Sequence, residues 1–264
     1  MKITVHHDST IPLEFPGIVP EHVEHLTALQ VSKLPVLFGN RSVELGEVAE
    51  VSGSASDGQL WISGDTGRVK QIGAAMSRGT LWVEGDVGLH AGAQMTGGLL
   101  KIHGAASDWL GAEMRGGSIE AGGDAGHNVG SAYRGSRHGM RGGSITVKGN
   151  AGDELGLLMR RGLIVVQGTA GEFAGASMIA GTILGLNGFG PHAGAGMKRG
   201  TLIACGQTES ISPGFRYSCE YDQAYLDLFR KREWPELPRR TAAKCYRGDV
   251  LTGGRGELLV LAAS

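Results

Sequence analysis

The sequence predicts an all-β fold, a single-stranded parallel β-helix of about seven to eight coils closed at both ends by small α-containing caps. Seven methionines, Met76, Met95, Met114, Met140, Met159, Met178 and Met197, stand 19 residues apart, save one gap of 26. A fixed period near 20 marks one supersecondary unit stacked on copies of itself, because so short a unit cannot bury its apolar face alone. Apolar residues alternate with others after each opening glycine, which is the period of a strand. Glycines fall in columns in step with the methionines.

Residues 1–57 lack the period and read as an N-terminal cap. A strand is expected at Lys2–Val5, and a helix from Pro20 to about Leu34, ended by Pro35, which cannot donate a helical hydrogen bond.

Residues 58–206 hold the repeat. A first copy opens at Gly58, with two extra residues before Gly73, and later copies open at Gly79, Gly98, Gly117, Gly143, Gly162, Gly181 and Gly200. Inward pairs are expected at Leu60/Ile62, Leu81/Val83, Leu100/Ile102, Ile119/Ala121, Ile145/Val147, Ile164/Val166 and Ile183/Gly185, since alternate strand residues share a face. One glycine column runs Gly64, Gly85, Gly104, Gly123, Gly149 and Gly168, with Asn187 at its end. A second runs Gly73, Gly92, Gly111, Gly130, Gly156, Gly175 and Gly194. Both imply a backbone need, either positive φ or close approach of neighbouring coils. The methionines suit irregular gaps in the interior.

Residues 207–264 read as a C-terminal cap. Tyr221, Tyr225, Leu228 and Phe229 fall at helical spacing, and Arg230-Lys231-Arg232 closes that helix where its dipole favours cations. A last strand is expected at Glu257–Leu261. One outward column, Trp61, Trp82, Lys101, Glu120, Thr146, Val165, Leu184, Ile203, turns apolar towards its end. The last three need cover, from the C-terminal segment in preference to another subunit.

Net charge is −1, which points to neither nucleic acid nor an anionic membrane. No apolar run approaches the ~18 residues of a membrane span. Three cysteines, odd in number and far apart along the chain, with no signal-like start, fit a reduced, cytoplasmic protein. No CxxC, HExxH, GxSxG or P-loop is present, so no catalytic and no metal-ligating residue is assigned. His22 and His25 read as a surface pair. His90, His103, His127 and His192 read as lying in different columns and receive no role.

The 26-residue gap is the exception. Its seven extra residues carry Tyr133, Arg134, Arg137 and His138 together, and insertions in repeats go to loops that often form the binding face. Arginine forks suit carboxylate or phosphate. These four are the candidate binding residues, for a partner subunit or an anionic ligand. A solvated loop whose arginines bridge carboxylates of the same chain is the plainer alternative.

The coil signature, as in Gly79–Gly97, resembles the GXGXG repeat domain of the glutamate synthase large subunit and of the C-type subunit of formylmethanofuran dehydrogenase. The insertion Gly130–Met140, the lead-in Gly39-Asn40-Arg41 to Gly46-Glu47, and Tyr217–Tyr221 are similar to that C-type subunit specifically. The resemblance covers most of the chain. It implies a right-handed β-helix that scaffolds an enzyme complex with catalytic A, B and D subunits, binding no cofactor itself. One such complex is the bacterial formyltransferase/hydrolase complex of tetrahydromethanopterin- and methanofuran-linked one-carbon metabolism, with zinc and a methanofuran-type coenzyme. The other is a formylmethanofuran dehydrogenase with tungsten or molybdenum pterin and iron–sulfur clusters in other subunits. The ordinary charge content leans towards the bacterial complex. A free-standing ligand-binding β-helix and a glutamate-synthase-like coupling domain are the rivals.

Overall fold

The computed structural model describes residues 1–6, 10–206, 208, 211–222 and 242–261. It is mostly β, with a mostly parallel sheet of 13 strands and a smaller sheet of four. In chain order the N-terminal elements are β1 (Lys2–Val5), β2 (Leu13–Glu14), α1 (Pro20–Val23), α2 (Ala28–Ser32), β3 (Pro35–Phe38), β4 (Arg41–Glu44) and β5 (Ala49–Ser52). The repeats contribute β6 (Gln59–Gly64), β7 (Val69–Lys70), β8 (Thr80–Val83), β9 (Thr96–Ile102), β10 (Gly116–Ala121), β11 (Arg141–Val147), β12 (Arg161–Val166), β13 (Thr182–Gly185) and β14 (Thr201–Ala204). The chain closes with β15 (Arg216–Asp222), β16 (Ala242–Gly248) and β17 (Gly256–Leu261).

From β6 to β14 the large sheet pairs each strand in parallel with that of the next repeat. One row runs through all of them: Leu60, Leu81, Leu100, Ile119, Ile145, Ile164, Ile183 and Leu202 are successive partners, although the register shifts at the starts of the β9–β10 and β11–β12 pairings. All eight are buried, as are the seven periodic methionines. Leu258 of β17 extends the row beside Leu202, so the last strand adds a rung after the repeat has ended. A second ladder links Val87, Ala106, Ala125, Ala151, Ala170 and Phe189 by parallel bridges. Phe189 breaks that run of small residues beside Gly185, where an added Cβ would lie 3.0 Å from its ring. The large ring fills the space the glycine leaves.

Apart from Gly64, whose φ is +91°, the two glycine columns have different causes. Gly111 and its column mates take positive φ, +61° at Gly111. Gly123 does not; an added Cβ there would sit 2.9 Å from Ala105 N and 3.0 Å from Gly104 C of the preceding repeat. Close backbone approach fixes that position.

The single helix expected from Pro20 to Leu34 is two short ones. Thr27 forms a capping box, accepting from the Gln30 N–H at 3.3 Å while its own N–H donates to Gln30 Oε1 at 2.9 Å. An N-cap needs extended backbone, here φ −75° and ψ 159°, so the first helix stops before it. Pro35 begins β3. In the C-terminal cap, Tyr221 lies on β15 and not on a helix. Tyr225, Leu228, Phe229 and Arg230–Arg232 lie outside the described residues.

Val165, Leu184 and Ile203 are buried in a second apolar cluster with Ala243, Cys245, Leu259 and Leu261. The C-terminal strands supply those partners, so the chain shields this column itself. At the other end of the column Trp61 stacks on Trp82 at 4.8 Å and the Lys101 ammonium lies 4.8 Å from the Trp82 centroid. Lys101 also pairs with Glu120 at 3.3 Å. Among the described residues, no helix is long and apolar enough to cross a membrane.

Candidate functional site

Two positions of the repeat take the left-handed conformation with residues other than glycine; one holds Ala75, Gln94, Glu113, Leu158 and Ser177, and the other holds Gln71, His90, Trp109, Asn128, Glu154, Phe173 and His192, the latter with φ between 57° and 67°. Bulky residues rarely adopt it. At the second position each of the first six donates its N–H to a carbonyl of the next repeat, as His90 N does to Asp108 O at 3.0 Å and Trp109 N to His127 O at 2.9 Å. Those bonds offset the local strain. The conformation carries the side chains outward in a row. His90 and His192, which sequence reading put in different columns, share this one.

The insertion folds back onto the row. Its seven extra residues leave the ladder intact, since Ile119 on β10 still pairs with Ile145 on β11. Tyr133 reaches two repeats back, and its hydroxyl lies 3.0 Å from His90 Nδ1. Its ring packs on Trp109 at 5.0 Å, and the His90 ring lies 6.3 Å from that of Trp109. Phe173 and His192 repeat the stacking further along, at 4.9 Å.

Glu113 holds the root of the loop. It accepts from the Tyr133 N–H at 3.4 Å and from Gln94 Nε2 at 3.2 Å. Burial alone would raise its pKa, but hydrogen bonds from Ser136, Gln94 and Tyr133 and the Arg141 charge outweigh it, so Glu113 titrates below the usual carboxylate value. Burial, then Glu113, pushes Tyr133 up to about 12. Burial, then the Lys70 charge, lowers His90. The pair at the centre is therefore a neutral phenol and an imidazole that resists protonation.

A pocket of about 410 Å³ opens beside them, lined by Pro16, Gly17, Gln71, Gln94, His90 and Tyr133. Gln71, one of the lining residues, donates from Nε2 to Glu14 at 3.2 Å, and the same carboxylate accepts from Lys70 Nζ at 3.3 Å.

The other three candidates project differently. Arg134 and Arg137 are exposed, and neither forms a hydrogen bond or ion pair among the described residues. His138 is half-buried; desolvation, then the guanidiniums of Arg160 and Arg141, lower its pKa. Arg141 Nε is buried with no hydrogen-bond partner among the described residues. The loop thus splits into an anchor, Tyr133, and a basic outer edge. Sequence reading missed His90, Trp109 and Glu113. Counting 11 residues from each opening glycine would have aligned His90 with His192. Nothing in the sequence shows that Tyr133 folds towards His90.

No family model and no curated protein matches the chain. Among solved structures, a chain of the crystal structure of the formyltransferase/hydrolase complex from Methylorubrum extorquens, in complex with methylofuran, is 35% identical to it. The two superpose with a TM-score of 0.90, over 99% of this chain and 100% of that one. The chain belongs to the family of the C-type subunit of formylmethanofuran dehydrogenase, which includes its counterpart in the bacterial formyltransferase/hydrolase complex.

Proposed function

We propose that this chain is the non-catalytic scaffolding C-type subunit of a bacterial formyltransferase/hydrolase complex in methanofuran-linked one-carbon metabolism. The observation that carries the reading is 35% identity over the full length of a chain from such a complex. That similarity favours the hydrolase complex over a tungsten or molybdenum dehydrogenase. The A, B and D subunits would be its partners, and the formyl group would ride on a methylofuran-type coenzyme held elsewhere in the assembly. The stack of parallel-paired repeats and its second ladder of bridges support a right-handed parallel β-helix of about seven to eight coils. Such a rod keeps partners in a fixed arrangement, because sites on rigid elements hold their geometry better than sites on loops.

The His90–Tyr133 pair fits positioning and not proton transfer. Each group is held neutral, and the imidazole Nδ1 faces the phenol. The exposed Arg134 and Arg137 and the half-buried His138 form the edge that would meet a partner subunit. A second reading, a free-standing ligand-binding protein, is favoured by the pocket beside Tyr133. Assay of the isolated chain with a formylated methanofuran-type coenzyme separates the roles. No release of formate is expected, and steady release would overturn the scaffold reading.

A further inference from the structure

Cys219 and Cys245 face each other directly across the antiparallel pair of β15 and β16. A shift of register between Tyr217 and Cys219 makes this so. Tyr217 pairs with Tyr246, so Ser218 would oppose Cys245 in a regular ladder. Ser218 is instead the extra residue of a bulge, and bulges re-aim the residues that follow them. Directly opposed residues of an antiparallel pair have Cα atoms about 4.5–5.5 Å apart. Disulfides span Cα separations of about 4.4–6.8 Å, so directly opposed residues lie within bridging range. After burial and the charges of Arg247 and Glu257, proximity of the Cys219 thiol contributes to the raised pKa of Cys245.

Their surroundings differ in a useful way. Cys219 is exposed, whereas Cys245 is buried in the apolar cluster with Ile203 and Leu259. Burial raises the Cys245 pKa and keeps it a thiol. Cys205 borders the same cluster and is also held protonated, its pKa pushed up to about 12 by burial. The reactive form of cysteine is the exposed thiolate.

We propose that Cys219 and Cys245 are a redox-active pair that closes a cross-strand disulfide under a peroxide oxidant and reopens under a dithiol reductant. The Cys219 thiolate attacks one peroxide oxygen, the O–O bond breaks, and one oxygen leaves as hydroxide, which is protonated to water. Cys219 is then a sulfenic acid. The Cys245 sulfur attacks it, the S–S bond forms, the S–O bond breaks, and the oxygen departs as water with the proton of Cys245. The two thiols lose two electrons and the peroxide gains them, ending as two waters. A dithiol reductant restores both thiols and is itself oxidised to a disulfide. The bond would staple β15, the outermost strand of the large sheet, to β16. Exposed Tyr217 and Tyr221 flank Cys219 on that edge strand.

The test is equimolar hydrogen peroxide on the full chain, followed by alkylation in denaturant and non-reducing peptide mapping by mass spectrometry. The expected product is one peptide pair joined through Cys219 and Cys245, two hydrogens lighter than the sum of its parts. It should be lost on adding dithiothreitol and formed equally by the Cys205→Ser variant. In Cys219→Ser, Cys245 should remain alkylatable. A Cys205–Cys245 bridge, accumulation of Cys219 sulfinic acid beside an unmodified Cys245, or absence of any crosslink would each overturn the proposal.

Discussion

The Tyr133 hydroxyl meets His90 Nδ1 at 3.0 Å although 43 positions separate the two residues. This contact bridges three repeats and turns an insertion into part of an ordered face, with Trp109 as the ring both residues pack upon. Tyr133→Phe removes the hydrogen bond and keeps the ring contact. A typical hydrogen bond contributes about 0.5–1.5 kcal/mol net, so urea unfolding should show a loss in that range. An unchanged midpoint would mean that the loop is anchored by packing and by Glu113 alone.

Acidification should weaken this face through His90. Its pKa in the folded chain is lowered from 6.5 by burial and by Lys70. As pH falls, the unfolded chain takes up the proton first, so the unfolded state gains. Stability from neutral His90 is full above pH 6.5 and is lost as pH falls from there through the lowered folded value. Denaturation midpoints of the wild type should drop more steeply below pH 6.5 than those of His90→Gln. Parallel curves would show that His90 makes no such contribution.

The two kinds of glycine predict different penalties. Gly123→Val forces a side chain against the backbone of Ala105 and Gly104, and overpacking of this kind costs about 1–3 kcal/mol. Gly135, in the insertion, has φ +86° and nothing within 4 Å of an added Cβ. Gly135→Ala should therefore lose only the left-handed backbone preference, about 1–2 kcal/mol. Thermal melts of both variants check this. Equal tolerance at Gly123 would contradict the close approach of repeats.

The outward column predicts a contrast along its length. Leu184→Ala leaves a cavity in the second apolar cluster and should cost about 2–5 kcal/mol. Glu120→Ala, three strands earlier, removes an exposed pair with Lys101 and should cost about 1 kcal/mol or less. Similar losses at both positions would mean that the C-terminal strands do not shield the column.

Much of this was readable in the sequence because a repeat tests itself many times. Leu60 to Leu202 form one row because each copy places an apolar residue at the same step, and the stacking carries the phase through the insertion. Local chemistry outranked pattern elsewhere. Thr27 and Gln30 build a capping box that divides the helix expected from Pro20 to Leu34. The candidate site was half legible. The insertion announced Tyr133, Arg134, Arg137 and His138, but His90, Trp109 and Glu113, the partners of Tyr133, sit on earlier repeats. Only the path of the loop in space brings them together. The Cys219–Cys245 pairing was hidden for a similar reason, since it depends on a one-residue bulge.

The proposed partner-facing role of the basic edge can be tested directly. Arg134→Ala combined with Arg137→Ala should keep stability within about 0.5 kcal/mol of the wild type, as exposed substitutions do. Association with partner subunits should weaken, which a co-purification yield would record. Unchanged association would make the edge a solvated loop.

The most direct test of the scaffold account is to tag the chain in its native host, purify it gently, and identify what accompanies it by mass spectrometry and metal analysis. The other components of a formyltransferase/hydrolase complex, with zinc and a methylofuran-type coenzyme in the eluate, are the predicted result. A chain that emerges alone, or with tungsten or molybdenum and iron–sulfur partners, would contradict it.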